Sequence, residues 1–178
     1  MRWEPLLAAP LVVISSASWG NVYLSTEQAQ QAIFAGAKFT PVRLMLTQEQ
    51  RDTLRARSGV YEPFKEDRVW FVDGGGFFIV DDVVGKHETI TYAVGINRDG
   101  SVKQIEILEY RETYGSEVRD PVWRKQFVGK TLEAPVRLNK DIVNITGATL
   151  SSKHITDGVR RVLMLHDMVL KGLPHGVR

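Results

Sequence analysis

Cysteine is absent from this 178-residue chain. Its absence removes disulfides, thiolate nucleophiles, iron–sulfur clusters and thiolate zinc sites together. It also removes a lipid anchor of the bacterial lipoprotein kind, which is built on a cysteine. A surplus of charge is missing too. The 23 basic and 21 acidic residues leave a net charge of +2 and are interspersed rather than striped, so there is no electrostatic case for nucleic acid. The four histidines, His87, His154, His166 and His175, stand far apart without a ligand spacing such as H-x-x-x-H, and no metal site is expected. What remains, 43% hydrophobic and 25% charged residues, is the balance of a globular protein long enough for one domain with a real core.

The N-terminus differs in kind from the rest. Arg2 precedes the apolar run Leu6–Ile14, and the small residues Ser15, Ser16, Ala17 and Ser18 follow. This is the three-part shape of a secretory signal, with small-x-small cleavage after Ala17. The run is too short for a membrane span, which needs about 20 apolar residues. The expected organisation is a signal peptide over 1–19 and a single domain over 20–178, with a buried first helix as the other reading of the run.

Ser25 with Gln28 and Thr47 with Gln50 have capping-box spacing, which predicts helices at about 26–34 and 48–57, the second closing near Gly59. The middle is β-rich. Residues 67–72 and 77–83 flank the turn Asp73-Gly74-Gly75-Gly76, and Ile90, Tyr92, Val94 and Ile96 alternate with Thr89, Thr91, Ala93 and Gly95, the period of a half-buried strand. Asn97-Arg98-Asp99-Gly100 turns the chain back into a strand over 102–110. Asp120-Pro121 supplies an N-cap followed by proline for a helix carrying Trp123 and Phe127 and ending at Gly129. Apolar residues from Ile155 to Leu170 at helical spacing predict a last helix of about 20 residues. The fold class is α+β: an antiparallel meander with flanking helices and a long C-terminal helix.

Several tempting motifs fail. Gly129-Lys130-Thr131 looks like the end of a phosphate loop, but Arg124 stands where the first glycine is required. Gly74–Gly76 sits between two strands, not between a strand and a helix. Asn144-Ile145-Thr146 is a glycosylation sequon by pattern alone. Ser151 and Ser152 lack a histidine–acid arrangement.

The stretch from Asp141 to Ser152 is stronger. As plain structure it is a turn leading into the last helix, with Ser151 or Ser152 as N-cap and Gly147 supplying backbone freedom. Thr149 then sits just before a helix N-terminus, where free N–H groups and the helix dipole favour a phosphate. Gly147 and Ala148 leave its hydroxyl unobstructed.

Thr146-Gly147-Ala148-Thr149-Leu150-Ser151 resembles the [S/T]-G-A-T-x-[S/T] signature of the FMN-binding domain. That domain occurs in flavin-carrying subunits of the sodium-translocating NADH:quinone oxidoreductase and Rnf complexes, and in soluble periplasmic relatives. Glu112-Thr113-Tyr114-Gly115 is similar to the family's E-T-x-G segment, and Trp123 to Gly129 to its next block, so the resemblance spans about 85–165. Two positions depart. Asn144 lies where an acidic residue is usual, with Asp141 further upstream, and Tyr114 replaces a common proline.

The resemblance implies FMN esterified through its phosphate to Thr149 by an FAD:protein FMN transferase using magnesium. It implies an electron-transfer protein in the periplasm, or associated with the extracytoplasmic side of a membrane, working between redox partners that include membrane-bound ones. Alongside the signature residues, Glu112 and Thr113 are expected to bond the ribityl chain or nearby backbone, and Trp123 or Tyr114 to pack near the ring. For Trp123 and Phe127, core packing is the equal alternative. Lys153 is a candidate neutraliser of the phosphodiester, with a solvated side chain as the plain alternative. Without a dinucleotide fingerprint, direct NADH oxidation is not expected, and a relay is favoured over a self-sufficient enzyme. The rival readings are a flavin-dependent reductase of a small acceptor and a non-redox interaction module.

Overall fold

Six strands pair antiparallel throughout in a computed structural model that describes residues 21–173. They are β1 (Asn21–Val22), β2 (Phe39–Pro41), β3 (Val69–Val72), β4 (Phe77–Val84), β5 (Thr89–Ile96) and β6 (Val102–Tyr110), in the spatial order β1-β6-β5-β4-β3-β2. The helices are α1 (Thr26–Ile33), α2 (Gln48–Ser58), α3 (Pro121–Arg124) and α4 (Thr149–Met168). The α+β expectation holds. The expected signal segment lies outside the described residues. Among those described, no helix is long and apolar enough to cross a membrane.

Local chemistry accounts for most boundaries. Both capping boxes form: Ser25 with Gln28 starts α1, and Thr47 with Gln50 starts α2, which closes on left-handed Gly59. Asp120 Oδ1 accepts from the Val122 N–H ahead of α3, with Pro121 in the first turn. The predicted helix to Gly129 is only one α turn, followed by a 3₁₀ turn over Lys125–Phe127. Strands β1 and β2 were not expected, because each is too short to carry a period and forms by pairing with β6 and β3.

The meander is buried on both faces, which corrects the half-buried reading of β5. Ile90, Tyr92, Val94 and Ile96 join Ile155, Val159 and Val162 of α4 in the main core. On the other face Ala93, Phe78 and Val80 pack against Ala29 and Ile33 of α1. Small residues on that face of β5 allow this approach: a Cβ on Gly95 would lie 2.3 Å from Ile33 Cγ2. What looked like a solvent face is a face for a second helix.

α4 is held to the sheet by packing and by one buried ion pair. Arg161 and Asp81 are each 2% exposed, and Arg161 Nη2 lies 2.7 Å from both Asp81 oxygens. Tyr92 Oη donates to the same carboxylate at 2.7 Å, and Arg161 Nη1 donates to the Glu62 carbonyl. Bidentate geometry with every neighbouring group bonded is what makes a buried pair tolerable. The pair fixes α4 lengthwise along β4, and so fixes where the N-terminus of α4 emerges.

Candidate functional site

The start of α4 is unusual for a long helix. Its N-cap is Ala148, which offers no side-chain acceptor. The expected cap at Ser151 or Ser152 does not form, because the helix begins a turn earlier and both serines lie inside it. The first intrahelical bond runs from Ser152 N–H to the Ala148 carbonyl at 2.9 Å, so the N–H groups of Thr149, Leu150 and Ser151 have no helical partner. These donors, with the positive end of a 20-residue helix behind them, are aimed at a cleft.

The cleft, of about 490 Å³, lies between the first turn of α4, the segment after β6 and the turn joining β4 to β5. Lys86, His87, Tyr114, Thr149 and Ser151 are among its lining residues. The volume is within the roughly 300–1,000 Å³ of small-ligand sites.

Each wall is braced. Glu112 Oε1 accepts from the N–H groups of His87 (2.6 Å) and Glu88 (3.0 Å). Partial burial opposes the charged form of Glu112, but the N–H groups of Glu88, His87 and Lys86 outweigh it and hold the carboxyl below its ordinary range. From the other side His154 Nδ1 lies 2.5 Å from the Val84 carbonyl and 3.0 Å from that of Gly85. With only acceptors before it, that nitrogen carries the hydrogen. The β4–β5 turn is thus gripped by its carbonyls and its N–H groups alike, which presents Lys86 and His87 to the cleft.

The opposite wall depends on Tyr110. Its hydroxyl donates to the Tyr114 carbonyl at 2.5 Å, leaving Ser151 Oγ to donate to it at 2.9 Å. Burial, foremost, pushes the Tyr110 phenol up from its usual range. Gly115 turns at φ +95°, and a Cβ there would lie 2.5 Å from Tyr110 Oη. Glycine is required on both counts.

The hydroxyls of the signature are not equivalent. Ser151 is 4% exposed and engaged with Tyr110, and Ser152 is fully buried. Thr146 is exposed on the turn around left-handed Gly147 but does not line the cleft. Thr149 is exposed, lines the cleft, and occupies the first helical position rather than the residue before it. The Asn144 amide donates to its Oγ1 at 3.1 Å.

The other expected site residues divide. Gly147, Ala148, Leu150, Thr113 and Tyr114 line the cleft, with Tyr114 83% exposed at its rim. Glu112 also lines it, and its carboxylate accepts from the backbone N–H groups of His87 and Glu88. Trp123 does not line the cleft: it packs edge-on against Phe127 in the core and donates to the Val143 carbonyl at 2.8 Å. Lys153 pairs with Asp157 at 2.6 Å, one turn down α4. Asn144, Lys86, His87 and Tyr110 were not singled out as site residues. Lys86 and His87 carry no local signal. Asn144 stood in the sequence as a chance sequon and as a departure from the family's usual acidic residue, and its bond to Thr149 was readable only once the turn was folded.

An α+β fold that directs an uncapped helix start, an exposed hydroxyl and two basic side chains into one open cleft is a site for a cofactor bearing phosphate. Residues 85–164 match the family model described as the FMN-binding domain. FMN is the cofactor this domain indicates, and the donor set suits its phosphate. No curated protein matches the chain.

Proposed function

We propose that the protein is an extracytoplasmic electron-transfer flavoprotein whose FMN is held by a phosphoester bond to Thr149. One observation carries the attachment: of the four hydroxyls between 146 and 152, only that of Thr149 is both exposed and within the cleft. In the attachment step the Thr149 oxygen bonds to the FMN-side phosphorus of FAD. The pyrophosphate P–O bond breaks, and AMP leaves with the electron pair and, in the net balance, the hydroxyl proton. The transferase and its magnesium come from outside this chain.

Bound FMN supplies the redox chemistry; the chain supplies position and charge. The free N–H groups of the first turn of α4 would hold the phosphodiester. Lys86 adds positive charge on the opposite wall beside the His87 imidazole, and Tyr114 and Leu150 offer apolar surface at the rim. A tether suits a carrier outside the cytoplasm, where a cofactor lost by diffusion is not readily replaced. A cleft open to solvent suits exchange of electrons with partner proteins, including membrane-bound ones.

Peptide mass mapping after co-expression with an FAD:protein FMN transferase tests the attachment. The Thr149 peptide is expected to gain the mass of FMN less water, and the denatured protein to stay yellow. Flavin on Thr146, Ser151 or Ser152 with Thr149 bare would overturn the assignment. N-terminal sequencing of native protein tests export: a start within a few residues of Ser18 is expected, and a mature chain beginning at Met1 counts against it.

A further inference from the structure

Among the described residues, Asn144 is the side chain that hydrogen-bonds the Thr149 hydroxyl, and its backbone is held on the side of Val143. The residue before it, Val143, has both backbone polar groups engaged by the α3 segment. Its N–H donates to Gln126 Oε1 at 2.8 Å, and its carbonyl accepts from Trp123 Nε1 at 2.8 Å. Gln126 in turn donates through Nε2 to the Trp123 carbonyl. Two mutually bonded residues therefore clamp Val143 and set the starting point of the Asn144 side chain.

The Asn144 amide is also costly where it stands. Oδ1 is buried and has no hydrogen-bond partner, while Nδ2 donates to Thr149 Oγ1 at 3.1 Å. A buried acceptor without a donor costs about 1–3 kcal/mol. With the amide turned over, Oδ1 could accept from the hydroxyl, but a buried NH₂ would then be unpaired. A free hydroxyl can donate or accept. An esterified oxygen only accepts. Nδ2 facing Oγ1 is the one arrangement that serves both forms of Thr149.

We propose that Asn144 is the positioning residue of the flavin-attachment step. It holds Oγ1 of Thr149 in one rotamer toward the cleft, with Trp123 and Gln126 acting through it, and it remains a donor to the ester oxygen afterwards. Donation to one lone pair leaves the other free to attack phosphorus. An amide does not take up the proton, so deprotonation is left to the transferase. This rests on the covalent reading above and names the residue in this chain that prepares the nucleophile.

The test has two readouts on Asn144→Ala and Trp123→Phe. The first is the χ1 distribution of Thr149 in flavin-free protein, from three-bond couplings to its methyl carbon. Wild type is expected in a single rotamer and Asn144→Ala in an average. The second is the kinetics of flavin transfer with FAD, magnesium and a purified transferase. Asn144→Ala is expected to lower kcat about fivefold to tenfold, the worth of one hydrogen bond, with KM for the protein substrate within about twofold. Trp123→Phe is expected to lose less, about twofold to threefold, and nothing further once Asn144 is alanine. Unchanged couplings or unchanged kcat in Asn144→Ala would overturn the proposal, as would an effect confined to KM, which would make Asn144 a transferase contact. A full further loss in the double variant would overturn the role of Trp123. If wild type takes no flavin, the covalent reading fails on its own account, while the couplings still decide whether Asn144 orders Thr149.

Discussion

Gly158→Ala sets two well-characterised effects against each other. Gly158 lies in the middle of α4, where helix propensity alone favours alanine by about 1 kcal/mol. The tertiary structure says the opposite. A Cβ at this position would stand 2.2 Å from Tyr92 Oη and 2.8 Å from Cζ, with Val83 Cγ1 at 3.1 Å. Real Cβ atoms essentially never approach within 3.0 Å, so helix and sheet must separate by about 0.8 Å or the ring must move. Moving the ring breaks the bond from Tyr92 to buried Asp81. Overpacking of this kind costs about 1–3 kcal/mol, and leaving a buried carboxylate short of a donor adds about 1–3 kcal/mol. Set against the propensity gain, the net is a loss of about 1–5 kcal/mol. Urea unfolding of the flavin-free protein should show it as a lower midpoint with an unchanged slope. For a chain of this size the melting temperature should fall by about 2–20 °C. A cycle with Tyr92→Phe isolates the cause. Removing the hydroxyl relieves the closest contact, so the double variant should lose at least about 1 kcal/mol less than the two singles together. A more stable Gly158→Ala protein, or strict additivity in the cycle, would refute the close approach of α4 to β5.

Thr149→Ala should abolish attachment yet leave circular dichroism and cooperative unfolding intact, because the Thr149 side chain is exposed and outside the core; an unfolded variant would mean the flavin is part of the fold. Arg161→Met should cost about 3–5 kcal/mol in urea unfolding, since it strands the Asp81 carboxylate in the core; a change under 1 kcal/mol would mean that the pair is not formed. The pH dependence of Glu112 follows from its folded-state pKa lying below the unfolded one. Its stabilisation is complete above the ordinary carboxylate range near about pH 4.3 and is lost as pH falls through the folded value. Glu112→Gln should therefore flatten the fall in melting temperature between pH 5 and 3; an identical acid limb in wild type and variant would refute the backbone-held carboxylate.

Much of this molecule was legible along the chain. The capping boxes at Ser25 and Thr47, the Asp120-Pro121 helix start and the alternation of β5 depend on neighbours a few residues away, so sequence alone determined them. The Thr146–Ser151 signature likewise pointed to FMN before any coordinates. Elements held by distant partners were not legible: β1 and β2 exist because β6 and β3 pair with them, and α4 begins at Thr149 with Ser151 inside it, where its hydroxyl bonds to Tyr110 of β6. The second buried face of β5 was hidden because Ala93 and Gly95 look like solvent positions until α1 covers them. In the cleft, the sequence nominated Thr149 by its motif. Only tertiary structure separated it from three other hydroxyls by exposure and place in the cleft together, decided between core and cleft for Trp123, and brought Lys86, His87 and Asn144 to the site. The reason is physical: a motif lies within one turn of chain, whereas burial and charge at a site are set by whichever segments the core brings together.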